Sequence, residues 1–103
     1  MIKVSVLYEN AFGKKFDMAY YCGKHIPMVQ HKLASACRRI EVDQGVGSAQ
    51  LGSRPPFVAM AHLLFDSVEA FQAAFAPHAD VITADIRNYT DIQPIIQISE
   101  VKT

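Results

Sequence analysis

Histidines and tyrosines are the residues of this chain whose spacing could do chemistry. His25 lies in the segment Tyr-Tyr-Cys-Gly-Lys-His-Ile-Pro, residues 20–27. Helical spacing places it on one otherwise apolar stripe. An imidazole that faces a core needs hydrogen-bond partners, so this position predicts a satisfied core histidine or a general acid–base in a pocket. Pro27 has no N–H for the Gly23 carbonyl and predicts a kink or restart beside His25. The stripe consists of Met18, Cys22, His25, Val29 and Leu33.

Other polar side chains are candidates to line such a pocket. His62 lies in the middle of an apolar strand, so it fits either a pocket or a structural role that lines a dimer interface. His78 lies at the edge of the second helical stripe, which favours a structural or surface role. Phenols and an amide can orient an imidazole or hold a substrate carbonyl. The predicted substrate-binding residues are Tyr21, His62, Asn88 and Tyr8.

The sequence predicts neither a metal nor a cofactor. The step from His25 to His31 turns a helix by about 240°, so the two imidazoles point to different faces. Cys22 and Cys37 have no zinc-type spacing, and reduced thiols are expected. The Gly-Val-Gly at residues 45–47 lacks the strand–loop–helix context of a dinucleotide fingerprint.

Size and charge limit the class of protein. The chain has 103 residues, which predicts one domain over 1–103. Ten basic and ten acidic residues give a formal net charge of zero, so no basic stripe predicts nucleic-acid or membrane binding. The first residues are typical of a strand and not of a signal peptide, and no segment is long enough to span a membrane. A cytoplasmic location is therefore expected.

Hydrophobic periodicity predicts the order β-α-β-β-α-β. This is the ferredoxin-like α+β arrangement, with a four-stranded antiparallel sheet. Asp17 is expected to cap the first helix, and Asp66 or Ser67 the second, which Pro77 interrupts. The predicted strands cover 2–8, 39–42, 57–65 and 94–101; the helices run from 17 to about 36 and from 67 to about 82; a long loop covers 44–56 and a polar turn 85–91.

The third strand indicates an oligomer, because it is apolar on both faces. Two helices can cover only one face of a four-stranded sheet, which leaves the other as an interaction surface. The simplest solution is a homodimer that buries two such faces against each other and closes into one barrel.

Several motifs resemble the EthD family of small bacterial proteins. They are Phe16-Asp17, Tyr20-Tyr21 with His25 and Pro27, Phe65-Asp66-Ser67, and Asn88-Tyr89-Thr90 before Gln93-Pro94. The resemblance implies a dimeric α/β barrel, and it carries over His25, Tyr21 and Asn88 as pocket residues. It also implies an association with ether degradation beside a cytochrome P450 system. The wider superfamily includes lactone isomerases, polyketide cyclases, quinol-type monooxygenases and haem enzymes.

Three functions remain open from the sequence. The first is a cofactor-independent enzyme in which His25 moves a proton on a small apolar carbonyl or aromatic compound, as an isomerase, cyclase or lyase does. The second is a non-catalytic dimer that binds a small apolar molecule or assists a catabolic pathway for ethers or aromatics. The third is an oxygenase.

Overall fold

A four-stranded antiparallel sheet carries all the helices on one of its faces. The computed structural model describes residues 1–103 and gives the strand order β2-β3-β1-β4. The strands are β1 (Ile2–Glu9), β2 (Arg39–Gln44), β3 (Phe57–Phe65) and β4 (Ile95–Glu100). Each lies within two residues of its predicted bounds. The predicted ferredoxin-like α+β fold is confirmed.

The first helix, α1, is irregular beside His25, as Pro27 predicts. It consists of an α-helical turn (Met18–Tyr20), one π turn (Tyr21–His25) and a longer α-helical segment (Ile26–Leu33), and a 3₁₀ turn follows at Ala34–Ala36. The Asp17 carboxylate accepts from the Tyr20 backbone N–H at 3.0 Å, so the predicted N-cap is confirmed. The Ile26 N–H donates to the Tyr21 carbonyl, which closes the wider ring of the π turn.

The predicted buried stripe of α1 is wrong at one position. Cys22 is exposed, and its sulfur lies 3.7 Å from the Met18 sulfur on the outside of the helix. Tyr21 is buried instead, with 1% of its surface exposed. The π turn adds one residue to a helical turn, so uniform helical spacing misplaces the residues that precede it.

The second helical stretch is also divided. It comprises α2 (Val68–Phe75), a 3₁₀ turn (Ala76–His78), α3 (Ala79–Asp85) and a final 3₁₀ turn (Ile86–Asn88). The Ser67 hydroxyl accepts from the Ala70 N–H at 3.1 Å and caps α2. Pro77 lies in the 3₁₀ turn, so the predicted interruption is confirmed. Asp85, predicted to begin a polar turn, is the last residue of α3.

The core lies between the helices and one face of the sheet, because strand residues alternate between the two faces. On β3 the helix-facing residues Ala59, Ala61, Leu63 and Phe65 are buried. The helices leave β4 largely uncovered: Ile96 and Ile98 pair with helix-facing residues of β1, yet are 60% and 43% exposed. The opposite sheet face carries no helix and is called the open face below. None of the helices combines the length and apolar character needed to cross a bilayer.

Candidate functional site

His25 ends the π turn and is buried, with 4% of its surface exposed. Its Nδ1 lies 2.8 Å from an Asp85 carboxylate oxygen, and its Nε2 lies 3.4 Å from the Tyr89 hydroxyl. An ionised carboxylate only accepts hydrogen bonds, so Nδ1 carries the proton. In the neutral imidazole, Nε2 therefore keeps its lone pair and is the basic nitrogen.

Asp85 holds His25 from the carboxyl end of α3. Its second oxygen accepts from the Tyr20 hydroxyl at 2.7 Å and from the Asn88 amide at 2.9 Å. Burial alone would raise the pKa of this carboxyl, but the hydrogen bonds from Asn88, His25 and Tyr20 outweigh burial and hold the pKa below its ordinary range. Asp85 is thus ionised at neutral pH and fixes the imidazole tautomer and orientation.

Burial governs the protonation of His25 itself. Desolvation lowers the pKa of the imidazole below its ordinary value of 6.5, and the hydrogen bond and charge of Asp85 oppose this shift only in part. His25 is therefore neutral at pH 7, which is the form a general base needs.

Two buried phenols, Tyr21 and Tyr89, contact the imidazole, and a third, Tyr8, packs against both of them. The Tyr8 and Tyr89 hydroxyls lie 2.6 Å apart, and either can be the donor. The Tyr21 ring stacks on the His25 ring at 5.5 Å, and the Tyr89 ring lies 4.6 Å from it. Burial raises the pKa of Tyr8, Tyr21 and Tyr89, so all three remain protonated donors at neutral pH. Their O–H groups can stabilise a negative oxygen.

An apolar cavity of about 130 Å³ lies beside these groups, between the sheet and the helices. Tyr8, Tyr21 and His25 belong to its wall, and the exposed residues Thr83 and Ile96 mark its open side. The remaining wall is formed by apolar side chains of both layers: Val4, Val6, Ile26, Val29, Leu33, Ala61, Leu63, Phe71, Phe75, Ile82, Ile86 and Pro94.

The structure brings together some of the candidate residues and separates others. Tyr8, Tyr21 and His25 meet at the cavity. Asn88 is exposed and does not line it; its amide reaches the site only through Asp85. His62 lies on the open face, because it alternates along β3 with residues that line the cavity.

His62 has polar neighbours of its own on the open face. Its Nδ1 lies 2.9 Å from the Ser5 hydroxyl, and its Nε2 lies 3.5 Å from Asp43. His31 is exposed on α1 and His78 is half-buried, and neither belongs to the cavity wall. No group of three or more His, Cys, Asp or Glu side chains could hold a metal ion.

Sequence reasoning missed the role of Asp85, and it left Tyr89 as one member of a polar turn. Asp85 carries a signal that could have been used. An acidic residue in the last turn of a helix opposes the helix dipole, so its presence there indicates a specific partner. Tyr89 is fixed by its own backbone, because its carbonyl accepts from the Asp17 N–H at 2.7 Å.

The fold and site together define a small ferredoxin-like protein with a buried histidine, paired with a half-buried aspartate, at an apolar cavity. The EthD domain family matches residues 12–93, most of the chain, and the chain therefore belongs to the EthD family. No curated protein matches the chain.

Solved structures agree with this family. An EthD-like protein from Ralstonia eutropha JMP134 is 48% identical, with coverage of 99% of this chain and 92% of that chain and a TM-score of 0.95. An ethyl tert-butyl ether D (EthD) family protein from Bacillus halodurans C-125 is 21% identical, with 99% of both chains covered and a TM-score of 0.78. An antibiotic biosynthesis monooxygenase has the same fold at 10% identity, with 100% of both chains covered and a TM-score of 0.52.

Proposed function

We propose that this chain is a cofactor-independent acid–base enzyme that moves a proton on a small apolar carbonyl compound, with His25 as the catalytic base. The observation that carries this proposal is the His25–Asp85 pair at the polar end of an apolar cavity. A neutral imidazole with one nitrogen fixed by a carboxylate is the usual arrangement for a general base. Tyr8 and Tyr21 are the substrate-binding residues of this proposal.

The reaction begins with a carbonyl group placed against the phenols. Nε2 of His25 takes a proton from the carbon beside the carbonyl, and the C–H electron pair moves to form an enolate. The Tyr8 hydroxyl donates a hydrogen bond to the enolate oxygen. Asp85 stabilises the imidazolium that forms. Where a C=C bond is conjugated with the enolate, return of the proton from Nε2 to the far carbon of this dienolate yields an isomer with the double bond moved, and no electrons are gained or lost.

The Tyr8 and Tyr89 hydroxyls can exchange donor and acceptor roles, which gives the site one hydrogen-bond arrangement without substrate and another with substrate bound. When Tyr8 donates to Tyr89, the Tyr89 hydroxyl can donate to His25 Nε2. When Tyr89 donates to Tyr8 instead, the Tyr8 proton is free for a substrate oxygen and Nε2 is free to accept a proton. A bound carbonyl therefore favours the arrangement that activates the base.

The test is exchange of hydrogen for deuterium beside the carbonyl of small ketones and lactones in D₂O, followed by proton NMR. The wild-type protein should accelerate exchange over buffer, and His25→Gln should reduce the acceleration by about 10²–10⁴-fold. His31→Gln is the matched control, since His31 is an exposed histidine on the same helix. Equal exchange by wild type and His25→Gln would refute the assignment.

A binding module is the second candidate, and the apolar wall of the cavity is the observation that favours it. In this role the chain holds an apolar molecule for a partner enzyme in a cytoplasmic pathway of ether or aromatic degradation. Ligand binding without any exchange would favour this candidate over the enzyme. The likeness to the monooxygenase is one of fold alone and adds no observation for an oxygenase.

A homodimer is also part of the proposal. The open face carries apolar residues on three adjacent strands, among them Leu7, Met60 and Ile95, which lie in one row across the sheet. Pairing of two open faces would remove this surface from water.

A further inference from the structure

The cavity wall contains no charged side chain that could pair with an anionic ligand. None of its 17 lining residues is Lys, Arg, Asp or Glu. The basic residues nearest in the chain to His25 do not belong to the cavity wall. The Lys24 ammonium lies over the Tyr20 ring, 5.6 Å from its centroid, and Lys32 lies in the last turn of α1. Arg38 is paired with Asp66 at 2.7 Å.

His25 does not replace the missing cation. Its Nδ1 already donates to Asp85, so the positive charge of a protonated ring would be balanced by a carboxylate 2.8 Å away. An anionic ligand would then lie near Asp85 with no second cation between them. Burying an unpaired carboxylate in apolar surroundings is strongly unfavourable, whereas a neutral carbonyl needs only a hydrogen bond.

The size of the cavity limits the ligand further. An apolar protein cavity of roughly 150 Å³ binds benzene, so about 130 Å³ that opens on one side suits a single ring with a short substituent. Apart from Thr83 at the open side, the polar side chains of the wall are Tyr8, Tyr21 and His25, which suits a ligand with one oxygen directed at these three residues.

We propose that the ligand of this cavity is an uncharged single-ring molecule with one carbonyl oxygen against Tyr8 and Tyr21, and that carboxylates of the same shape are excluded. This inference rests on the proposed function for the placement of the oxygen. It adds the charge and the size class of the substrate, which the acid–base chemistry alone does not fix.

The test compares acetophenone with benzoate, which have the same shape and number of heavy atoms and differ in charge. Binding is measured at pH 7.5 by NMR titration of side-chain methyl groups of the cavity, such as those of Val29 and Ile82. Acetophenone should bind at least tenfold more tightly than benzoate and shift these methyl signals. Equal or tighter binding of benzoate, or no binding of acetophenone at millimolar concentration, would overturn the proposal.

A matched pair of variants tests the cause of the exclusion. Ile96→Arg places a guanidinium at the open side of the cavity, and Ile98→Arg places one on the same face of β4 but outside the cavity wall. Ile96→Arg should reduce the ratio of acetophenone affinity to benzoate affinity severalfold, and Ile98→Arg should leave this ratio unchanged. If neither variant changes the preference for acetophenone over benzoate, the absence of a cation from the cavity wall is not the cause of that preference.

The same titration separates this inference from the proposed function. Preferential binding of acetophenone without deuterium exchange at its methyl group would support the neutral ligand and refute the catalytic role. Deuterium exchange of a carbonyl compound by the wild type, together with tight binding of benzoate, would support the catalytic role and refute the neutral ligand.

Discussion

At the scale of single residues, Asp85 determines what His25 can do. It accepts from Nδ1 and is itself held by Tyr20 and Asn88. The carboxylate fixes the tautomer in which Nε2 is the base, and it stabilises the imidazolium once a proton has been taken up.

Asp85→Asn should therefore impair proton transfer more than it impairs folding. An amide can either donate or accept, so the tautomer of His25 is no longer fixed. The negative charge of Asp85, which stabilises the protonated imidazole, is also lost. We expect deuterium exchange to fall by about 10²–10⁴-fold and the pKa of His25 to fall further below 6.5, as measured by NMR of the imidazole. Asn88→Ala removes only one hydrogen bond from Asp85 and should have a much smaller effect. A His25 pKa that is unchanged in Asp85→Asn would contradict this role.

The lowered pKa of His25 gives both activity and stability a defined pH dependence. The base is active when neutral, so exchange should be maximal above about pH 6.5 and decline at lower pH, with an apparent pKa below 6.5. In the unfolded chain the imidazole binds a proton near pH 6.5, whereas the folded chain binds it only at lower pH. Stability is therefore lost as pH falls below about 6.5, not as pH rises. Thermal unfolding from pH 8 to 5 should show this loss, and His25→Gln should reduce it.

At the scale of elements, the π turn in α1 is the feature that constructs the site. It places Tyr21 and His25 on the buried side of one helix while Cys22, Gly23 and Lys24 remain exposed. The exposed residues of the turn form no part of the cavity wall, whereas the two buried ones face the cavity.

Replacement of two glycines by alanine should change the stability of the fold in opposite directions. A Cβ at Gly23 would meet nothing within 4 Å, and its φ is not in the left-handed region, so Gly23→Ala should stabilise the fold by about 0.5–1 kcal/mol. A Cβ at Gly45 would clash with the Phe57 carbonyl and lie 2.8 Å from the Pro55 Cβ, so Gly45→Ala should destabilise it by about 1–3 kcal/mol. Urea unfolding measures both changes. A loss of stability in Gly23→Ala would show that the π turn depends on glycine.

Local sequence signals predicted the elements well and the site only in part. Asp17 and Ser67 identify helix starts, and Pro27 indicates the irregularity beside His25, because caps and missing donors act within one turn. The phase of α1 before the π turn was predicted wrongly because helical spacing assumes a constant number of residues per turn. Asp85 was missed because it meets His25 across 60 residues of sequence, and its position at a helix end indicates a partner without identifying that partner as His25.

At the scale of the whole molecule, the open face is an apolar sheet surface that no helix covers. Leu7 lies on the central strand β1 with Met60 and Ile95 as its neighbours on either side. We expect the chain to be a dimer in solution and Leu7→Lys to be monomeric or markedly weaker in association, because the lysine would be buried between two sheets without a partner.

Light scattering after size-exclusion chromatography measures this difference. Val46→Lys is the control, since Val46 is 95% exposed in the long loop and lies outside the sheet. A monomeric wild type, or a Leu7→Lys variant with the mass of the wild-type dimer, would contradict the proposed interface.

The contact between Tyr8 and Tyr89 spans 81 positions of the chain, and it has a consequence for biosynthesis. Tyr8, Tyr21 and His25 are translated well before Asp85 and Tyr89. A nascent chain that ends before residue 85 contains the imidazole but no acceptor for its Nδ1 proton. The site therefore assembles only after residue 89 has been translated, and a fragment that ends before residue 85 would lack the His25–Asp85 pair.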